Sequence, residues 1–172
     1  MDIFLLVVFL LIALIFSFLC SVFEAVLLSV RQPYIVTQRE TKPSNAKTWE
    51  NLVGDINRPL SAILILNTVA HTVGAAGVGA QATKVFGTDP MTSFSIALVL
   101  TILILVLSEI IPKTFGAVYW KQLAPATGTM LTTLTKIMSP LIWMTEKITS
   151  GISKGKKKGA FSRAEFIAMA DV

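Results

Sequence analysis

The stretch Ser108-Glu109-Ile110-Ile111-Pro112-Lys113-Thr114-Phe115-Gly116 follows the apolar run FSIALVLTILILVL. Pro112 has no amide proton, and its ring displaces the carbonyl four residues back, that of Ser108. A helix must therefore loosen at the turn that carries Glu109. Backbone oxygens freed at membrane depth are tolerable only when buried in protein, facing a cavity or bound to an ion. Two further polar stripes stand in apolar sequence. Ser17, Ser21 and Glu24 are spaced by four and three, which puts them on one helix face. Asn67 and His71 are four apart, and Gly74 continues their stripe.

Taken together, these groups form an all-oxygen set: the Glu109 carboxylate, liberated carbonyls, serine hydroxyls and the Asn67 amide. Such donors suit Mg²⁺ or Na⁺ and are wrong for zinc or copper. His71 has no second histidine or thiol in the pattern, so it reads as a hydrogen-bonding partner rather than a transition-metal ligand. Plainer alternatives stand beside each reading. Glu109 and Lys113, four apart and in the favourable order, can neutralise one another. The serine hydroxyls can bond back to the preceding turn, and Glu24 can pair with a basic residue such as Arg31. Ser21 with His71 is a conceivable nucleophile and base, but neither sits in an elbow motif and no carboxylate is evident to orient the imidazole. The sequence therefore reads as a non-enzyme.

The elements that must position these residues follow from composition. The chain has 172 residues, 53% hydrophobic and only 15% charged, with a mean hydropathy of +0.71, which is the profile of a membrane protein. Three segments have the roughly 20 apolar residues a bilayer-spanning helix needs. They are Ile3 to Val30, Leu60 to Val85 and Met91 to about Gly116. The first has Asp2 in place of a basic leader and runs too long for a signal peptide, so it reads as a retained span. The fold class is all-α: three spans, short interfacial helices in the first connection, and an amphipathic juxtamembrane helix over about 127–152, bent at Pro140 and anchored by Trp143.

Arg31, Arg39, Lys42, Lys47 and Arg58 fill the first connection, while the second has only Lys84 beside it. The positive-inside rule then puts the N-terminus outside and the C-terminus in the cytoplasm. Lys154, Lys156, Lys157 and Lys158 follow the last apolar segment, and with a net charge of +5 they suit an anionic lipid surface better than nucleic acid. The single cysteine, Cys20, lies within the first span and forms no intrachain disulfide; it reads as a small packing residue. Glycines and alanines from Ala70 to Gly79 read as a close-packing seam and, with the third span, as candidates for a dimer contact. The organisation is a transmembrane domain over 1–153 and a basic linker over 154–172, where Ser162 and Glu165 form a capping box that opens a polar helix.

Ser21-x-x-Glu24 with the VLLS ending at Ser29, LNTVAHTVGAA from Leu66 to Ala76, and above all LSEIIPKTFG from Leu107 to Gly116 resemble the DUF21 transmembrane domain of the cyclin M and CorC magnesium transport proteins. The resemblance covers nearly the whole chain. It implies a homodimeric Mg²⁺ exporter of the plasma membrane, coupled to inward Na⁺. The matching positions for an ion site are Ser21, Asn67 and Glu109, with backbone oxygen near Ser108 and Ile110. Ser17, Glu24, His71, Pro112, Lys113 and Gly116 are supporting or gating candidates. Many relatives carry a second asparagine where this chain has His71. The family also implies a cytoplasmic helical bundle, whose start falls within 154–172, and beyond it a paired CBS module that binds ATP, so ATP is not expected on these residues. The competing reading is a Mg²⁺-sensing membrane anchor without transport; the two use the same residues.

Overall fold

The computed structural model describes residues 2–152, with side chains to 148. The described residues are helical almost throughout, and no strand occurs among them. The lysine cluster and the Ser162 capping box lie outside the described residues. Three helical stretches are long and apolar enough to cross a membrane: Asp2–Ser29, Asn57–Phe86 and Pro90–Val118. We label the first two α1 and α4. The third is composite: α5 (Pro90–Leu103), a π-helical stretch (Ile104–Ile110) and α6 (Ile111–Val118). The chain is a multi-pass membrane protein.

Each boundary has a local cause. Asp89 caps α5, its carboxylate accepting from the Thr92 amide at 3.0 Å, and Pro90 occupies the first turn, where its missing N–H costs nothing. Pro33 and Pro43 do the same for α2 (Gln32–Thr41) and α3 (Pro43–Gly54), the short helices expected in the first connection. Gly87, at φ 89°, ends α4 in a conformation that side-chain-bearing residues rarely adopt.

Helix α1 is the central element. It packs against α4, the π-helical stretch, α6 and α7 (Trp120–Ile137). Its first half leaves Phe4, Leu11 and Ile15 half or more exposed, a surface suited to lipid and not to water. Close approach is bought by small residues. A Cβ on Gly74 would run into Ala13, and one on Gly77 would meet the Phe9 ring at 2.6 Å. One on Gly116 would meet the Val22 carbonyl at 2.9 Å, so the backbones of α1 and α6 nearly touch there.

The core gathers at the other end of α1, where Phe23, Val26, Leu27 and Val30 join Ile35, Leu52, Ile63 and Leu131. Its keystone is Trp49, fully buried, whose indole N–H donates to the Ala124 carbonyl at 3.2 Å. The indole packs against Gly128, where a Cβ would meet Nε1 at 3.1 Å. A buried tryptophan needs such a partner for its one polar atom. Tyr34 and Trp120 stack edge to face at 5.2 Å beside it.

The juxtamembrane segment departs from the expected helix over 127–152. Helix α7 begins earlier, at Trp120, and the helix breaks at Met138 before α8 (Ser139–Ile152). Pro140 explains the break, since it has no N–H to offer the Lys136 carbonyl. Pro125 lies inside α7, past the four amides left free in its first turn, and offers no N–H to the Lys121 carbonyl. One compact unit runs to Ser139 and a second begins at Pro140. Within the second, Lys147 Nζ lies 4.9 Å over the Trp143 ring.

Candidate ion site between the spans

The π-helical stretch holds the centre of the site. The Ile111 amide reaches back five residues to the Val106 carbonyl, a π rather than an α bond. The wider turn lets α6 restart with Pro112 in its first turn, where no amide proton is required. The loosening expected at Glu109 thus takes a defined form: one extra residue in the turn, with Ser108 fully buried and its hydroxyl donating to the Ile104 carbonyl at 2.7 Å. Such π turns are found disproportionately at functional sites.

Three contacts tie the stripes together. Ser17 Oγ lies 2.6 Å from His71 Nε2, joining α1 to α4. Asn67 Nδ2 donates to Glu109 Oε1 at 3.2 Å, joining α4 to the third span. His71 Nε2 is 3.9 Å from the same carboxylate oxygen. Because α1 and α4 run in opposite directions, one turn on from Ser17 is level with one turn back from His71. Ser21 and Asn67 therefore share a depth, roughly 6 Å from the Ser17–His71 contact.

At that depth two oxygens are orphaned. Ser21 Oγ and Asn67 Oδ1 are buried without a hydrogen-bond partner. Two unsatisfied polar oxygens on facing helices are costly unless something binds them. A hydroxyl, an amide oxygen and a carboxylate are the donors a hard cation takes. Among the described residues, no three His, Cys, Asp or Glu side chains converge on a point.

Lys113 closes the cluster. Its ammonium lies 3.3 Å from Glu109 Oε2 and 3.2 Å from Glu24 Oε2, bridging the third span to α1. Side-chain exposure rises from 25% at Glu109 to 34% at Glu24 and 43% at Lys113, so the cluster opens at the lysine. Glu24 takes Lys113, and not Arg31, as its ion-pair partner. The i,i+4 pair of Glu109 and Lys113 does form, but it leaves Glu109 Oε1 facing Asn67.

The remaining candidates fall into place less centrally. The Ile110 carbonyl already accepts from the Thr114 hydroxyl at 2.9 Å, and its side chain is exposed. Gly116 is a packing residue against α1 rather than part of the polar cluster. Ser17 bonds across to His71 and not back along its own helix, whereas Ser29 does bond back, to the Ala25 carbonyl at 2.7 Å. The nucleophile-and-base arrangement of Ser21 with His71 is not formed. Ser17 and Glu109 both face Nε2, whereas a relay needs the carboxylate on the opposite nitrogen. Sequence spacing did not reveal the Glu24–Lys113 bridge, which depends on the relative rotation of two spans.

The chain matches the cyclin M transmembrane N-terminal domain over residues 6–172. It is similar to the UPF0053 protein sll1254 of Synechocystis sp., at 35% identity over 90% of this chain and 44% of that protein. A UPF0053 protein of Haemophilus influenzae is 31% identical over 84% of this chain and 34% of the relative. The UPF0053 inner membrane protein YfjD of Escherichia coli is 30% identical over 61% and 24% respectively. The chain spans less than half the length of these relatives. Together with the composite third span and the SEIIPK element within it, this match shows that the chain belongs to the cyclin M transmembrane domain family.

Proposed function

We propose that this domain binds Mg²⁺ between its spans and carries it outward across the plasma membrane, with inward Na⁺ as the coupling ion. The observation that carries the reading is the pair of orphaned buried oxygens, Ser21 Oγ and Asn67 Oδ1, level with each other, with the Asn67 amide hydrogen-bonded to Glu109. Ser21, Asn67 and Glu109 are the proposed ligands, with backbone oxygen at Ser108 as a fourth. Mg²⁺ keeps part of its water shell, so three or four protein oxygens suffice for octahedral coordination.

The family resemblance supports Mg²⁺ as the cargo. The basic first connection supports a cytoplasmic C-terminus, and the name of the E. coli relative, an inner membrane protein, supports the plasma membrane. On this orientation the cluster opens toward the cytoplasm at Lys113. We place a homodimer contact on the apolar faces of the spans, with the bilayer around it, and a cytoplasmic helical bundle and CBS module in the intact protein.

Flux tests the reading. Proteoliposomes holding the intact protein should pass Mg²⁺, and Asn67→Ala should abolish the flux while the protein stays folded. Mg²⁺ binding without flux would instead favour a sensing anchor.

A further inference from the structure

We propose that Lys113 is a tethered cation that occupies the mouth of the site until Mg²⁺ arrives, and that Glu24 is the dock that holds it aside while the ion is bound. The inference rests on Glu109 being an ion ligand, and adds to that reading how the site is emptied and refilled.

The geometry is a lysine shared between two carboxylates. Lys113 Nζ is 3.2 Å from Glu24 Oε2 and 3.3 Å from Glu109 Oε2, so it touches both without moving. Its two partners differ in surroundings. Glu109 also receives Asn67 and faces His71, and it is the less exposed of the two. Glu24 has no other ion-pair partner among the described residues. The three side chains sum to one net negative charge with Lys113 present.

A divalent ion at Ser21, Asn67 and Glu109 would lie on the Oε1 side of Glu109, opposite the lysine. Two cations on one carboxylate repel, and in a partly desolvated site that repulsion is screened weakly. Lys113 needs only a rotamer change to give up Glu109 and keep Glu24. When the ion leaves, the lysine returns and neutralises Glu109, so the vacant site does not hold an uncompensated carboxylate at membrane depth. Lysine suits the task because its charge is a compact point on a flexible stem.

The test is Mg²⁺ binding, without nucleotide, to the intact protein in detergent, for the native chain, Lys113→Met, Glu24→Gln, the double variant and Lys113→Arg. Removing the competing cation should tighten Mg²⁺ by roughly tenfold in Lys113→Met. Glu24→Gln should weaken it, because the lysine then has only Glu109 to rest on. In the Lys113→Met background the Glu24→Gln change should alter affinity less than about twofold, since no lysine remains to be docked. Lys113→Arg should bind within a few-fold of native, which checks that the fold tolerates change here. Weaker or unchanged binding in Lys113→Met, or an equal loss from Glu24→Gln in both backgrounds, overturns the proposal, the latter by making Glu24 a direct ligand. If native protein binds no Mg²⁺, or Glu109→Ala binds as well as native, the ion site itself is wrong.

Discussion

The hydroxyl of Ser17 and the imidazole of His71 meet at 2.6 Å across two antiparallel spans. With Gly74 packed on Ala13 and Gly77 on Phe9, that contact fixes the register of α1 against α4 and so brings Ser21 level with Asn67.

Cutting this contact should loosen the register. His71→Ala leaves the fully buried Ser17 hydroxyl without its partner, at a cost of about 1–3 kcal/mol. Thermal unfolding in detergent should show the loss, and His71→Gln, which can still hydrogen-bond, should recover part of it.

Gly116 should tolerate no side chain. Its Cβ would lie 2.8 Å from Ala25 Cβ and 2.9 Å from the Val22 carbonyl, and backbone cannot step aside. Gly116→Val should cost about 1–3 kcal/mol or more and reduce flux by displacing α6 from α1. Gly79→Ala, with nothing within 4 Å of the new atom, should be close to neutral.

Trp49 separates two contributions to the core. Trp49→Phe keeps most of the apolar area but removes the indole N–H and leaves the Ala124 carbonyl without its donor, for about 1 kcal/mol. Trp49→Ala also opens a cavity beneath Gly128 and should cost about 3–5 kcal/mol. Comparing their unfolding temperatures gives the split.

The start of α5 should be acid-sensitive. The Thr92 backbone N–H, and then its hydroxyl, hold the Asp89 carboxyl below its ordinary value of 3.8. A lowered value in the folded state means the cap's stabilisation is complete above 3.8 and is lost as pH falls below it, through the folded value. Protection of the Thr92 amide, corrected for intrinsic exchange, should fall in that acid range in the native protein. In Asp89→Ala it should be low already at neutral pH.

The fold was legible because lipid imposes simple rules. Apolar length located the three spans, prolines and glycines marked the boundaries, and basic residues marked the first connection. Pro112 pointed to a disturbed helix at Glu109, but whether it would kink, fray or take a π turn depends on what Ser108 and α1 do around it. Local spacing placed Ser17 with Ser21 and Asn67 with His71. It could not say which faced which, because that is set by Gly74 and Gly116 meeting α1. For the same reason Lys113 read as a partner of Glu109 alone, and Glu24 as a partner of Arg31. The helix break at Met138 was displaced from the expected bend because Pro140 acts on the turn before it.

Mg²⁺ binding measured by calorimetry on the detergent-purified protein, native against Glu109→Ala with Ca²⁺ and Na⁺ as competitors, tests the central claim most directly. The geometry predicts saturable binding in the native protein that disappears in the variant while its helical content and unfolding cooperativity persist. Equal binding in both, or none in a folded native sample, would contradict an ion site at the π turn and leave Glu109 and Lys113 as a structural ion pair.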